Sequence, residues 1–176
     1  MIRRERLRLE LPAVIALGSN LGDREATLRD AVREINALDG VVVTAASDIV
    51  QTPAWKIEGV DEEAPAYLNA VITVRSALDP EALLDALNAI ENEHGRVRTE
   101  RWGDRTLDLD IISYAAQQSS TDRLTLPHPR AAVRGFVLAP WLQIEPDAEL
   151  PGLGRIDTLL AQTSDDVRPY AAEALL

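Results

Sequence analysis

Hydrophobic and polar positions change period several times along the chain. Residues 13–17 form a short apolar run that turns at Gly18-Ser19-Asn20-Leu21-Gly22-Asp23. Leu28, Val32, Ile35 and Leu38 then recur at helical spacing, with Asp23 as N-cap and Asp39-Gly40 as the stop. Residues 41–50 are rich enough in β-branched side chains for a second strand, and residues 67–76 alternate as a third. Between them, residues 51–66 hold no period and carry Pro53 and Pro65, which predicts one long loop. A second helix follows: Asp79 caps it, Pro80 sits in its first turn, Leu83, Leu87 and Ile90 line one face, and Gly95 ends it.

Alternation returns at Leu107-Asp108-Leu109-Asp110-Ile111-Ile112, a strand that sends Leu107, Leu109 and Ile111 to one face and Asp108 and Asp110 to the other. The order through residue 114 is then β-α-β-β-α-β, a ferredoxin-like α+β core with an antiparallel sheet. Residues 117–123 read as a polar loop, residues 136–144 as a helix and residues 156–162 as a short last helix. The chain is expected to form one domain over its 176 residues, with residues 1–11 as an N-terminal extension of unknown role.

Two carboxylates on one strand face, about 6.5 Å apart, can converge on hard cations, and magnesium carrying a phosphate is the natural guest. A solvated acidic strand is the competing reading. Upstream context weighs against it, because Arg96, Arg98, Arg101 and Arg105 fall within eleven residues together with Gly95, Gly103 and Trp102. Arginine grips phosphate oxygens in pairs and glycine frees the backbone, so the segment reads as a mobile anion clamp beside a metal site.

Composition narrows the field. A net charge of −11 argues against general nucleic-acid binding, which relies on a basic surface. Of the 18 basic residues only Lys56 is not arginine, and the arginines gather between residues 96 and 134, which suits a small anionic ligand. No apolar run approaches a membrane span, and the basic start, Met1 to Arg8, lacks the hydrophobic stretch of a signal peptide, so a cytoplasmic location is expected. With no cysteine, thiolate chemistry is excluded.

Other candidates are weaker alone. Gly18 to Gly22 resembles a phosphate-binding turn but lacks the lysine and glycine spacing of a P-loop, so it reads as structural. His128 is held between Pro127 and Pro129, and Arg134 and Phe136 add a cation and an aromatic face nearby. Tyr67 and Asn69 share a strand face, a pairing of ring and amide that suits a planar heterocycle. His94, before Gly95, reads as a cation at a helix C-terminus.

Taken in order, ALGSNLGD, QTPAW, YLNAV, GRVR with RWGDRTLDLDII, and LTLPHPRAAVRGFVLAPW closely resemble the 6-hydroxymethyl-7,8-dihydropterin pyrophosphokinase family over residues 12–150. The resemblance implies a three-layer ferredoxin-like fold. It also implies an enzyme that moves pyrophosphate from ATP to the pterin hydroxymethyl oxygen with a pair of magnesium ions, as a monomer without nucleic-acid or membrane partners.

Carried over residue by residue, it implies Asp108 and Asp110 as metal ligands, and Arg96, Arg98, Arg105 and Arg134 as phosphate contacts. Trp102 resembles the family's lid tryptophan. Arg123, Thr125, His128 and Ile111 would meet the nucleotide. Tyr67 and Phe136 would sandwich the pterin, Asn69 and the backbone at Thr52 and Pro53 would read its edges, and Trp55 would cover it. Glu91 resembles a glutamate that supports the arginine-rich loop. Asp104 departs from the family's proline or small residue, and Pro129 from a tyrosine found in some members. Another magnesium-dependent nucleotidyl or phosphoryl transferase, and a non-catalytic binding module of the same fold, remain the alternatives.

Overall fold

The computed structural model describes residues 9–56, 59–61, 63–95 and 106–176; side chains 55, 56 and 61 lie outside that description. The first strand, β1 (Leu11–Ser19), leads into α1 (Arg24–Asn36), whose start is fixed by the Asp23 carboxylate accepting the Ala26 N–H at 3.1 Å. Gly40, at φ 79°, supplies the left-handed residue that turns the chain after this helix. Next come β2 (Val41–Ala46), β3 (Val50–Thr52) and a hairpin of β4 (Ala54–Lys56) with β5 (Gly59–Asp61). β6 (Tyr67–Ser76) leads to α2 (Pro80–Glu93), capped by Asp79 on the Ala82 N–H at 2.9 Å, and β7 (Asp108–Tyr114) follows. The rest comprises β8 (Ser119–Ser120), β9 (Thr125–Leu126), α3 (Gly135–Ile144), β10 (Glu149–Leu150), β11 (Gly154–Arg155), α4 (Ile156–Leu160) and β12 (Arg168–Pro169).

The main sheet runs β12-β3-β6-β1-β7, with β2 also on β6, and every pairing is antiparallel. The ferredoxin-like order expected from the sequence is therefore present, with β1 and β6 at its centre. Ile15, Leu17, Leu109 and Ile111 face α1 and α2 in one core with Leu28, Ile35, Leu83 and Leu87. Val14, Val71 and Ile112 face the other way, into a second core with Val137, Leu138 and Trp141 of α3. Helices on both faces make three layers. None of the described helices is long and apolar enough to cross a membrane.

Two expectations are corrected. Residues 41–50 are not one strand: the Ser47 hydroxyl accepts the Val71 N–H at 2.9 Å, replacing a backbone partner, and the chain re-enters the sheet only at Val50. Residues 51–66 are not a bare loop either, since they finish β3 and build the β4-β5 hairpin. Residues 51–66 show no alternating pattern because each of their strand pairings spans no more than three residues.

Candidate active site

The site grows out of register. Asn69 on β6, Gly18 on β1 and Asp108 on β7 lie opposite one another on three adjacent strands. The next residues on the same face, Val71, Ala16 and Asp110, form a parallel row. Along β1 this face reads Val14, Ala16, Gly18, so its side chains shrink toward the site and leave a trough over the central strand. The end of that taper is tight: a Cβ on Gly18 would lie 3.0 Å from Asn69 Oδ1, so the amide would have to shift. The Asn69 amide thus leans over β1, and its Nδ2 donates to Thr52 Oγ1 at 3.2 Å while Oδ1 stays on the Gly18 side. Asn69 and Thr52 are buried, at 6% and 8% exposed, so this acceptor is held rather than tumbling. Tyr67 sits opposite Thr52 and extends the same face.

Across the trough, Asp108 and Asp110 share the face on β7 while Leu109 and Ile111 turn into the α1/α2 core. The start of β7 is pinned from behind, where buried Glu91 of α2 accepts the Leu109 N–H at 2.7 Å. Glu91 therefore supports the strand that carries the carboxylates; its expected link to the arginine-rich loop lies outside the described residues. Ile111 keeps its side chain in the core, and only its backbone is left for a ligand at the sheet edge.

Two nitrogen-bearing side chains, His128 and Arg134, flank Asp110. The chain passes through a cis Leu126–Pro127 peptide and hangs on β7 by the His128 N–H, which donates to Ile112 O at 2.8 Å. His128 Nε2 and Arg134 Nη1 each stand 3.9 Å from Asp110 Oδ2. His128 Nδ1 accepts the Arg130 N–H at 3.1 Å, so in the neutral ring the proton belongs on Nε2, facing Asp110. Burial pulls the His128 pKa below its ordinary value; Asp110 works against this, and Arg134 and Arg130 add to it. Burial likewise lowers Arg134, with Asp110 opposing. The Arg134 guanidinium lies 5.5 Å from the centre of the Phe136 ring, which fixes both at the first turn of α3.

The donor set fits a hard cation. Asp110 is half exposed, its oxygens are presented to solvent beside the trough, and among the described residues no group of three acidic or histidine side chains closes into a cage. Magnesium suits such an open arrangement, because it takes one or two carboxylates and fills the remaining positions with water and substrate phosphate.

Not every expected residue joins this group. Arg123 is engaged by Glu81 at 3.2 Å and by Asp85, both on the exposed side of α2, rather than by the carboxylate pair. Thr125 lies on β9, paired with Ser120, three residues before His128. Pro53 follows Thr52 at the edge of the trough and is partly buried. Arg96, Arg98, Trp102, Asp104 and Arg105, together with the Trp55 side chain, lie outside the described residues. Pro129 is exposed, next in sequence to the partly buried His128. His94 sits at the end of α2 as expected and meets Glu34 of α1, Nε2 to Oε1 3.0 Å. Sequence reading missed the shaping role of Gly18 and Ala16, although the falling side-chain size at every second position from Val14 carried the signal.

Comparison with known proteins matches this chain to one family. The family model for 7,8-dihydro-6-hydroxymethylpterin-pyrophosphokinase matches residues 14–146. A 2-amino-4-hydroxy-6-hydroxymethyldihydropteridine pyrophosphokinase of Haemophilus influenzae is 40% identical over 156 residues, covering 88% of this chain and 94% of that protein. The Bacillus subtilis protein of the same name is 44% identical over 132 residues, 75% of this chain and 77% of that one. Among solved structures, wild-type Plasmodium falciparum HPPK-DHPS superposes with a TM-score of 0.67 over 90% of this chain. At 11% identity that likeness carries the fold alone, and this chain spans 42% of that longer protein.

Proposed function

The chain belongs to the 7,8-dihydro-6-hydroxymethylpterin-pyrophosphokinase family, whose activity is ATP-dependent pyrophosphoryl transfer in folate biosynthesis, and on that premise we propose how its residues divide the work. The observation that carries the reading is the row Asn69–Gly18–Asp108: a held amide acceptor on one side of a bare strand and a carboxylate pair on the other. A pterin ring is flat and edged with N–H donors. Over Gly18, with Asn69 Oδ1 accepting from that edge, its hydroxymethyl group would extend toward Asp108 and Asp110. Tyr67, Phe136, Pro53 and Trp55 would bound the ring.

The hydroxymethyl oxygen would attack the β-phosphorus of ATP as the bond from that phosphorus to the α,β-bridging oxygen breaks; AMP leaves with that oxygen, and the hydroxyl proton passes to solvent. Asp108 and Asp110 would hold a pair of magnesium ions, which supply charge neutralisation on the polyphosphate when bound. The chain's own contribution is alignment and fixed charge. Arg134, held against Phe136, offers a guanidinium to phosphate oxygens, and neutral His128 offers its Nε2–H. Arg96, Arg98, Arg105 and Trp102 would close on the phosphates, with Arg123, Thr125 and the Ile111 backbone toward the nucleoside. The proposal extends to a cytoplasmic monomer acting as one domain.

Chromatography of the nucleotide products tests the reading. With ATP, magnesium and 6-hydroxymethyl-7,8-dihydropterin, AMP and the pterin diphosphate should accumulate together. ADP as the main product would mean attack at the γ-phosphorus and would overturn it.

A further inference from the structure

Residues beyond 146 lie outside the family match, yet they return to the site. After α4 the chain brings Asp165 to the first turn of α3, where Asp165 Oδ2 accepts the Gly135 N–H at 2.6 Å. The contact is tight. A Cβ on Gly135 would come within 3.0 Å of Thr163 Oγ1 and 3.1 Å of Asp165 Cβ, so glycine is what lets the two segments meet. The Asp165 loop is anchored on both sides: Thr163 Oγ1 donates to Leu160 O at 2.9 Å, and β12 pairs with Val50 and Gln51, next to Thr52. Tyr170 adds a bond from its N–H to Ile49 O at 3.1 Å.

This arrangement answers a local need. The N-cap residue of α3 is Arg134, and its side chain makes no capping bond, since a guanidinium has no acceptor to offer an N–H. An aspartate or serine there would cap the helix and remove the cation from beside Asp110. The sequence separates the two tasks, leaving Arg134 free to face the site and taking the cap from Asp165, thirty residues away. A carboxylate at a helix N-terminus also complements the helix dipole.

We propose that Asp165 is a positioning residue, which sets the first turn of α3 and thereby holds Arg134 and Phe136 in register with Asp110. This rests on the role given to Arg134 under the proposed function. Misplacing a charged group by about 1 Å can cost up to about a hundredfold in rate. Asp165→Ala should therefore lower kcat or raise the KM for ATP by about tenfold or more in protein that is still folded. Asp165→Asn, whose amide oxygen can still accept the Gly135 N–H, should recover most of that loss.

The test is steady-state kinetics on Asp165→Ala, Asp165→Asn, Arg134→Ala and the Asp165→Ala/Arg134→Ala pair, with ATP binding and thermal melting alongside. Support requires Asp165→Ala to slow the enzyme, Asp165→Asn to restore it, and Asp165→Ala to add little once Arg134 is gone. Lowered melting with normal kinetics would make Asp165 a structural cap only and overturn the proposal. So would an equal loss from Asp165→Ala with and without Arg134. A silent Arg134→Ala would instead sink the phosphate role of Arg134, and any slowing by Asp165→Ala in that case would also count against coupling through Arg134.

Discussion

The two faces of the central sheet are built from the same strands and do different jobs. Toward α1 and α2 the face is apolar along its length, with Ile15, Leu17, Leu68, Ile72, Leu109 and Ile111 all 3% exposed or less. Toward α3 it is divided. Val14, Val71 and Ile112 are covered by Val137, Leu138 and Trp141, but past the start of α3 the face turns polar, at Asn69, Thr52, Asp108 and Asp110. One face makes the sheet rigid, and the other uses that rigidity where its covering layer stops. A carboxylate on β7 cannot drift far when the residues on either side are locked in a close-packed core.

Substitutions on alternate residues of β7 test that division most severely. Asp108→Ala or Asp110→Ala should cut turnover by about 10²–10³-fold or more, comparable to losing a principal electrostatic contact in a transition state. Melting should barely move, because neither side chain fills a core. Leu109→Ala should do the reverse, costing about 2–5 kcal/mol of stability while the folded fraction keeps its activity per molecule. Activity assays normalised to folded protein, beside urea unfolding, separate the two. If Asp110→Ala unfolds the protein, or Leu109→Ala destroys catalysis without destabilising it, the faces are not divided as argued.

The same division governed what could be read from the chain. Alternation at Leu107 to Ile112 announced both faces of β7, because one is wholly apolar and the other breaks pattern with two carboxylates. The caps at Asp23 and Asp79 were legible for a similar reason: they act within three residues. What escaped depended on partners remote in sequence. Ser47 interrupts a strand only because it meets Val71, and Asp165 caps a helix whose own N-terminal residue is an arginine. Arg123 fits an anion-site pattern, yet two carboxylates on α2 occupy it, which no linear reading could reveal. The motifs that resemble a known family offered candidate site residues ahead of any geometry. The trough over Gly18 came only from strand register.

That trough can be filled with a single methyl group. Gly18→Ala would press on Asn69 Oδ1 at 3.0 Å and push the amide from its bond to Thr52. A lost or displaced neutral hydrogen bond is worth about 0.5–1.5 kcal/mol, so the KM for the pterin should rise by roughly two- to tenfold. The KM for ATP should stay near the wild-type value. Initial-rate kinetics with each substrate varied in turn reads the split; equal rises in both constants would mean that Gly18 shapes the whole site and not the pterin side.

The smallest effect expected is also the one that probes the boundary between the faces. His128 hangs from Ile112 within β7, where cover gives way to charge, and burial there outweighs Asp110 in setting its pKa below the ordinary 6.5. A histidine with a lowered folded value resists protonation in the native state more than in the unfolded chain. Between the two values the unfolded chain binds more protons, so stability falls as pH drops below about 6.5 and levels off once the folded value is passed. His128→Asn removes this dependence. In metal-free buffer the urea midpoint of the wild type should therefore decline more than that of the variant between pH 7.5 and pH 5.5. Were the wild type to gain on the variant as pH falls, the Asp110 carboxylate, 3.9 Å away, would be prevailing over burial. His128 would then enter the reaction as a second cation beside Arg134 and not as a neutral donor.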